Sequence, residues 1–172
     1  MNSCTALVLA LAGTLIAPAV PAQTCNPSIR HSAPDSRYVV SAVKGTVLDK
    51  QTGLTWKRCV EGRSGTDCGV GAETYLYWVS ALNRAAASDF AGYQDWRLPN
   101  RKELESLVEV ACYGPALNAN VFPNDPSSWV WSSSPYANNA GSAGVVYFVN
   151  GYASGFSNRY GYYAVRLVRG GQ

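Results

Sequence analysis

Hydrophobic positions follow two different periods along this chain. Gly45–Lys50 and Leu54–Arg58 are short runs rich in Val, Leu, Thr and Trp on either side of Gln51-Thr52-Gly53. That pattern predicts two strands joined by a hairpin-like turn. Cys59–Gly71 has no period and reads as loop. From Ala72 to Ala87 the spacing changes: Tyr75, Trp78, Val79, Leu82 and Ala86 recur at helical steps and predict a first helix. Asp89–Trp96 reads as loop. A second helix is predicted over Asn100–Ala111. Asn100 is its N-cap, Glu103 completes a capping box, and Leu104, Leu107, Val108 and Ala111 form one apolar stripe ended by Gly114-Pro115. Beyond that point the helical period is lost. Trp129–Ser133 predicts a strand, and Val145–Val149 and Tyr152–Phe156 flank Asn150-Gly151, a strong hairpin signal. Tyr163–Arg169 alternates Ala164, Arg166 and Val168 against Val165 and Leu167, as a closing strand does. The fold class expected is α+β: two helices packed on a mostly antiparallel sheet, loop-rich throughout.

The N-terminal segment stands outside that pattern. Thr5–Ile16 is an apolar run of Ala, Leu, Val and Ile with one Gly and two Thr, followed by Val20-Pro21-Ala22, whose small residues suit a signal-peptidase site. Residues 1–22 are therefore expected to be a signal peptide, with cleavage near Ala22-Gln23. The run is shorter than the roughly 20 residues that span a bilayer, so no stable membrane span is expected in the mature chain. Gln23–Ser36 is a polar lead-in, and residues 37–172 form a single domain, in keeping with a chain of 172 residues. The destination is secreted, periplasmic or at the cell surface.

Composition narrows the function. Charged residues are 15% against 47% hydrophobic, which excludes a disordered tail. The net charge is +3 with no Lys/Arg-rich block, so nucleic acid is not an expected partner. Four cysteines follow the signal segment, and an even number in an exported chain predicts two disulfides. Three pairings exist. Cys59 and Cys68 flank a turn-rich stretch and are paired here, leaving Cys25 with Cys112. Chain-entropy arguments give the short loop about 2.7 kcal/mol and the long one about 4.6 kcal/mol. A zinc site is disfavoured by the spacings, and neither metal nor cofactor is expected.

Catalytic chemistry finds little support. His31 is the sole histidine and sits in the lead-in, where it reads as a surface residue. Glu105 and Glu109 share the polar side of the second helix and read as a solvated face rather than a catalytic pair. Asp95-Trp96-Arg97-Leu98-Pro99 reads as a buried Trp with an Asp95–Arg97 pair bracing the helix entry. Trp56, Trp129 and Trp131 read as core. The C-terminal third differs. Asp125 is the last acid, and Arg159, Arg166 and Arg169 follow it. Tyrosines there mix with Asn, Ser and Gly, the composition of adaptable binding surfaces and one suited to sugars. Tyr136, Asn138, Asn139, Tyr152, Asn158, Arg159, Tyr160 and Tyr162 are the candidate ligand-binding residues, expected on one exposed face, with Arg159 favouring an anionic ligand.

Four ordered motifs carry a family resemblance: Thr52-Gly53-Leu54-Thr55-Trp56-Lys57-Arg58-Cys59; Asp95–Asn100 with Glu103-Leu104; Trp131-Ser132-Ser133-Ser134; and Val165-Arg166-Leu167-Val168-Arg169-Gly170-Gly171. From about Asp35 to Gln172 the chain resembles the Lcl C-terminal domain family, named after the Legionella collagen-like adhesin, but lacks its Gly-X-Y repeat. The resemblance implies a C-type-lectin-like fold and a role in surface attachment, with a polysaccharide (sulfated in the namesake), a cell surface or a protein as ligand. Self-association stays open. The Glu-Pro-Asn calcium signature is absent, so no calcium site carries over. The alternatives are an enzyme on a related formylglycine-generating scaffold, which needs reactive cysteines, a structural envelope module, and the variable protein of a diversity-generating retroelement.

Overall fold

A computed structural model describes residues 23–170. The expected signal peptide lies outside the described residues. In chain order the strands are β1 (Thr24–Cys25), β2 (Tyr38–Ser41), β3 (Thr46–Asp49), β4 (Thr55–Lys57), β5 (Arg63–Ser64), β6 (Val70–Gly71) and β7 (Tyr75–Leu76). Helices α1 (Trp78–Ala86) and α2 (Arg101–Glu105) follow. Then come β8 (Cys112–Tyr113), β9 (Trp129–Pro135), β10 (Ser142–Tyr147), β11 (Tyr152–Asn158), β12 (Tyr163–Ala164) and β13 (Val168–Arg169).

Two sheets organise these elements. One has five strands in the order β11-β10-β9-β12-β7, and the other four in the order β13-β4-β3-β2. All pairings are antiparallel except β12 with β9. The α+β expectation holds at this level. The predicted β3–β4 and β10–β11 hairpins both form. In the second, Tyr147 pairs with Tyr152, so Phe148 and Val149 belong to the turn rather than to the strand. Gly151 there has φ +77°, and a Cβ would sit 2.5 Å from Val108. Backbone conformation and close packing both demand glycine.

Strand alternation places the two cores on opposite faces of the five-stranded sheet. Val130, Val146 and Ala164 pack with Leu104 and Leu107 on one side, together with Trp56 and Val47 from the four-stranded sheet. Trp131, Val145 and Ala143 pack on the other side with Ala81 and Ala85 of α1, Trp96 and Leu98. The sheet therefore lies between the two helices.

Several expectations are corrected. The first helix starts at Trp78, because Tyr75 and Leu76 pair with Ala164 and Tyr163. Its buried side is the Ala81/Ala85 row, while Val79 is 59% exposed and Ala86 faces solvent. Small residues let the helix lie close to the sheet, with the bulky Trp78 and Leu82 filling its margins. The second helix has its predicted capping box but stops at Glu105. The chain leaves it to form a bridge between Val108 and Leu117, and the Glu109 N–H donates to the Ala116 carbonyl. Leu104, Leu107 and Ala111 are nevertheless buried as the stripe requires. The closing strand is split: Tyr163–Ala164 joins one sheet and Val168–Arg169 the other. Residues Ala164–Val168 are all buried, since this segment threads between the sheets with core on both sides. The loop Cys59–Gly71 contains the small β5–β6 hairpin.

Both disulfides pair as expected. Cys25–Cys112 joins β1 to β8, and Cys59–Cys68 closes the loop over β5.

Candidate functional site: the tyrosine-rich C-terminal face

The family-type motifs turn out to hold the scaffold. Arg97 exchanges backbone hydrogen bonds with Val168 at 2.9 and 3.0 Å, and Trp56 pairs with both Val47 and Val168. Trp96 is buried and donates its indole N–H to the Phe90 carbonyl. Asp95 and Arg97 do not pair with one another, which corrects the sequence reading. Asp95 accepts from Arg169 at 2.7 Å, and Arg97 donates to Glu103 at 2.8 and 2.7 Å. Ser132 Oγ donates to the Gly144 carbonyl, and Ser134 Oγ accepts the Arg101 N–H.

Two of the three C-terminal arginines are paired with acids within the fold. Arg166 is buried, donates to Asp125 at 2.5 Å and to the carbonyls of Lys57 and Arg58, and lies over the Phe122 ring. Arg169 is held by Asp95 and covers Tyr93. Arg159 is half-buried, with its guanidinium 4.0 Å from the centre of the Trp78 ring and its Nε donating to the Ser142 carbonyl. Arg159 has no acidic partner among the described residues, and its contacts with Trp78 and Ser142 hold it between the end of β11 and α1.

The eight candidate residues do not share the single face expected of them; they gather in three places, because the length of β11 separates those at its two ends. The β9–β10 turn presents Asn138 and Asn139 to solvent; the Tyr136 N–H donates to the Ser142 carbonyl, and Ser142 pairs with Asn158. Arg159 joins the same crossing through Gly141 and Ser142. Tyr136 also lies 5.8 Å from Phe156 and walls a cleft of about 500 Å³ with Arg101, Lys102 and Ser134 over Gly144 and Gly155. Just beyond, Tyr160 and Tyr162 close on Tyr77, with ring centres 6.4 and 4.0 Å away. Tyr77 is 39% exposed, Tyr160 80% and Tyr162 56%. Hydrogen bonding to Tyr77 raises the Tyr162 hydroxyl above its usual pKa. Tyr152 stands apart at the other end of β11, roughly 20 Å along the strand, against Trp129. Tyr77 and Trp78 were missed because their spacing assigned them to a helix interior. Trp129 is half-buried and stacks on Tyr147 at 4.6 Å, so it is less enclosed than the other core tryptophans.

The reading of Glu109 is also corrected. It was expected on a solvated face but is 1% exposed. Oε1 accepts N–H from Ser32 at 3.1 Å and Ala111 at 2.9 Å; Oε2 accepts from Ala33 at 2.9 Å and lies 3.3 Å from His31 Nδ1. Burial pushes its carboxyl up, but those donors together hold it below the ordinary carboxylate range. His31, Glu109 and Cys112 bring ligand atoms within 4.8 Å of one another. The Cys112 sulfur is in a disulfide and both carboxylate oxygens are engaged, so this group does not form a metal centre as it stands. The other helix-2 acids are also paired, Glu105 with Arg101 and Lys102. Among the described residues the four cysteines are all in disulfides.

No helix among the described residues is long and apolar enough to cross a membrane. No curated protein and no solved structure matches the chain. The family model for the Lcl C-terminal domain matches residues 45–169, beginning inside the β2–β3 turn and ending with β13. With most of its length described by that model, the chain belongs to the Lcl C-terminal domain family.

Proposed function

We propose that the chain is an exported, non-enzymatic, adhesin-type domain that holds a polysaccharide or protein surface on its C-terminal face. The observation that carries this reading is the Tyr77–Tyr160–Tyr162 cluster: three tyrosines exposed together on a rigid frame. Exposed aromatic area is costly in water unless something covers it, and tyrosine provides stacking area with little entropy to lose. Asn138, Asn139 and Asn158 add amides near the same crossing. Arg166 and Arg169 are paired with acids, and Arg159 alone keeps an unpaired charge against Trp78, so recognition here rests on ring stacking and amide hydrogen bonds more than on charge. The C-type-lectin-like character of the fold belongs to this reading and is supported by the family membership. Two disulfides suit an oxidising, extracytoplasmic setting.

The test is a glycan array of neutral and anionic saccharides probed with the folded chain, alongside adhesion to whole cells. The reading expects hits that survive raised salt. An absence of hits on both would overturn it and favour a structural envelope module.

A further inference from the structure

Two cations without an ion-pair partner among the described residues, Arg30 and Lys50, lie together outside the C-terminal face. Arg30, His31, Ser32, Pro34, Ser36, Arg37, Lys50 and Gln51 enclose a cleft of about 610 Å³ between the lead-in and the β3–β4 turn. The nearby acids are engaged by other donors, Asp49 and Glu109 buried and Asp35 exposed. Asp49 accepts from Arg37 and Thr52, Asp35 accepts from Asn118 and Asn120, and Glu109 accepts three backbone N–H groups. Arg37 is fixed as a wall by Asp49 and the Ser106 carbonyl. That leaves the exposed Arg30 and Lys50 facing the cleft without an ion-pair partner among the described residues, beside the side chains of Ser36 and Gln51. The walls are held in place: Cys25–Cys112 and Glu109 fasten the lead-in, and the Lys50 N–H donates to the Arg37 carbonyl.

We propose that this cleft binds a phosphomonoester. Two unpaired cations at one cleft match a compact dianion, and the hydroxyl and amide can bond its remaining oxygens. The site is built largely from the lead-in and so lies mostly outside the matched domain, independent of the tyrosine cluster.

The experiment is calorimetric titration of the full chain at low ionic strength with inorganic phosphate and with glucose 6-phosphate. A parallel arm measures co-sedimentation with phosphatidylcholine vesicles doped with phosphatidic acid, whose headgroup carries the same chemistry. Binding to the soluble probes assigns a soluble ligand; binding to the vesicles alone assigns a lipid headgroup. Either way, the combined Arg30→Ala and Lys50→Ala variant should weaken binding on the order of tenfold or more, while Lys102→Ala should leave it unchanged. Both residues are exposed, and an unshifted melting temperature confirms that the variant is folded. No response to any probe, or a response that the double variant retains, overturns the proposal.

Discussion

Arg97 reaches across the entry of α2 to Glu103, which at the same time caps the helix by accepting the Asn100 N–H at 2.7 Å. One carboxylate thus serves both the helix start and the Asp95–Pro99 strap, and Arg97 also bonds the Gly170 carbonyl beside the C-terminal strand. Burial raises the Glu103 pKa, and Arg97 and the cap N–H more than reverse this, so it stays charged. Glu103→Ala should cost about 2 kcal/mol, from the lost cap together with a charge-assisted pair. Urea denaturation checks this, with Lys102→Ala, on the exposed side of the same helix, expected within about 0.5 kcal/mol of the parent.

Arg166 and Asp125 form a buried pair in which either partner alone is a liability. Arg166→Ala should destabilise by roughly 3–5 kcal/mol because it strands the Asp125 charge. Joint replacement by Arg166→Met and Asp125→Leu should recover much of that loss. Equilibrium denaturation of the three proteins measures the coupling, and a fully additive result would contradict this role.

The depressed pKa values of Glu109, Glu103 and Asp49 set the acid limb of stability. Each group titrates lower when folded than when unfolded. Its contribution is therefore complete above the ordinary carboxylate range, near pH 4, and is lost as pH falls further. The melting temperature should drop steeply below about pH 4. Glu109→Gln should lower it at neutral pH and flatten that acid slope, because the amide cannot accept the same N–H donors with full charge. An acid slope identical to the parent would show that Glu109 is not one of the groups responsible.

Local chemistry was legible wherever a few adjacent residues decide the structure. The Asn100 capping box, the Asn150-Gly151 turn and the Cys59–Cys68 loop are all of that kind. What escaped depends on distant partners. Bulk marked Val79 as core, yet the sheet above α1 leaves room only for Ala81 and Ala85. Glu109 has the spacing of a surface residue, and only the return of the lead-in across it supplies the donors that allow its burial. Asp95 and Arg97 are neighbours in sequence, but strand geometry sends them to Arg169 and Glu103. The contact of Arg159 with Trp78 was equally hidden, because Trp78 is far away in the chain. The tyrosine composition pointed to the exposed Tyr160 and Tyr162, but it also took in Tyr152 at the other end of β11, and Tyr77, at the centre of the cluster, comes from a segment read as helix.

The binding claim is tested most directly by combining Tyr77→Ala, Tyr160→Ala and Tyr162→Ala, and measuring ligand binding beside thermal stability. All three rings are exposed, so stability should change by no more than about 1.5 kcal/mol in total. Binding to the glycan or cell surface identified with the parent chain should be abolished. Arg159→Ala, measured alongside, should instead lower stability through loss of the Trp78 and Ser142 contacts. A folded triple variant that binds as well as the parent would contradict the account and place the site elsewhere.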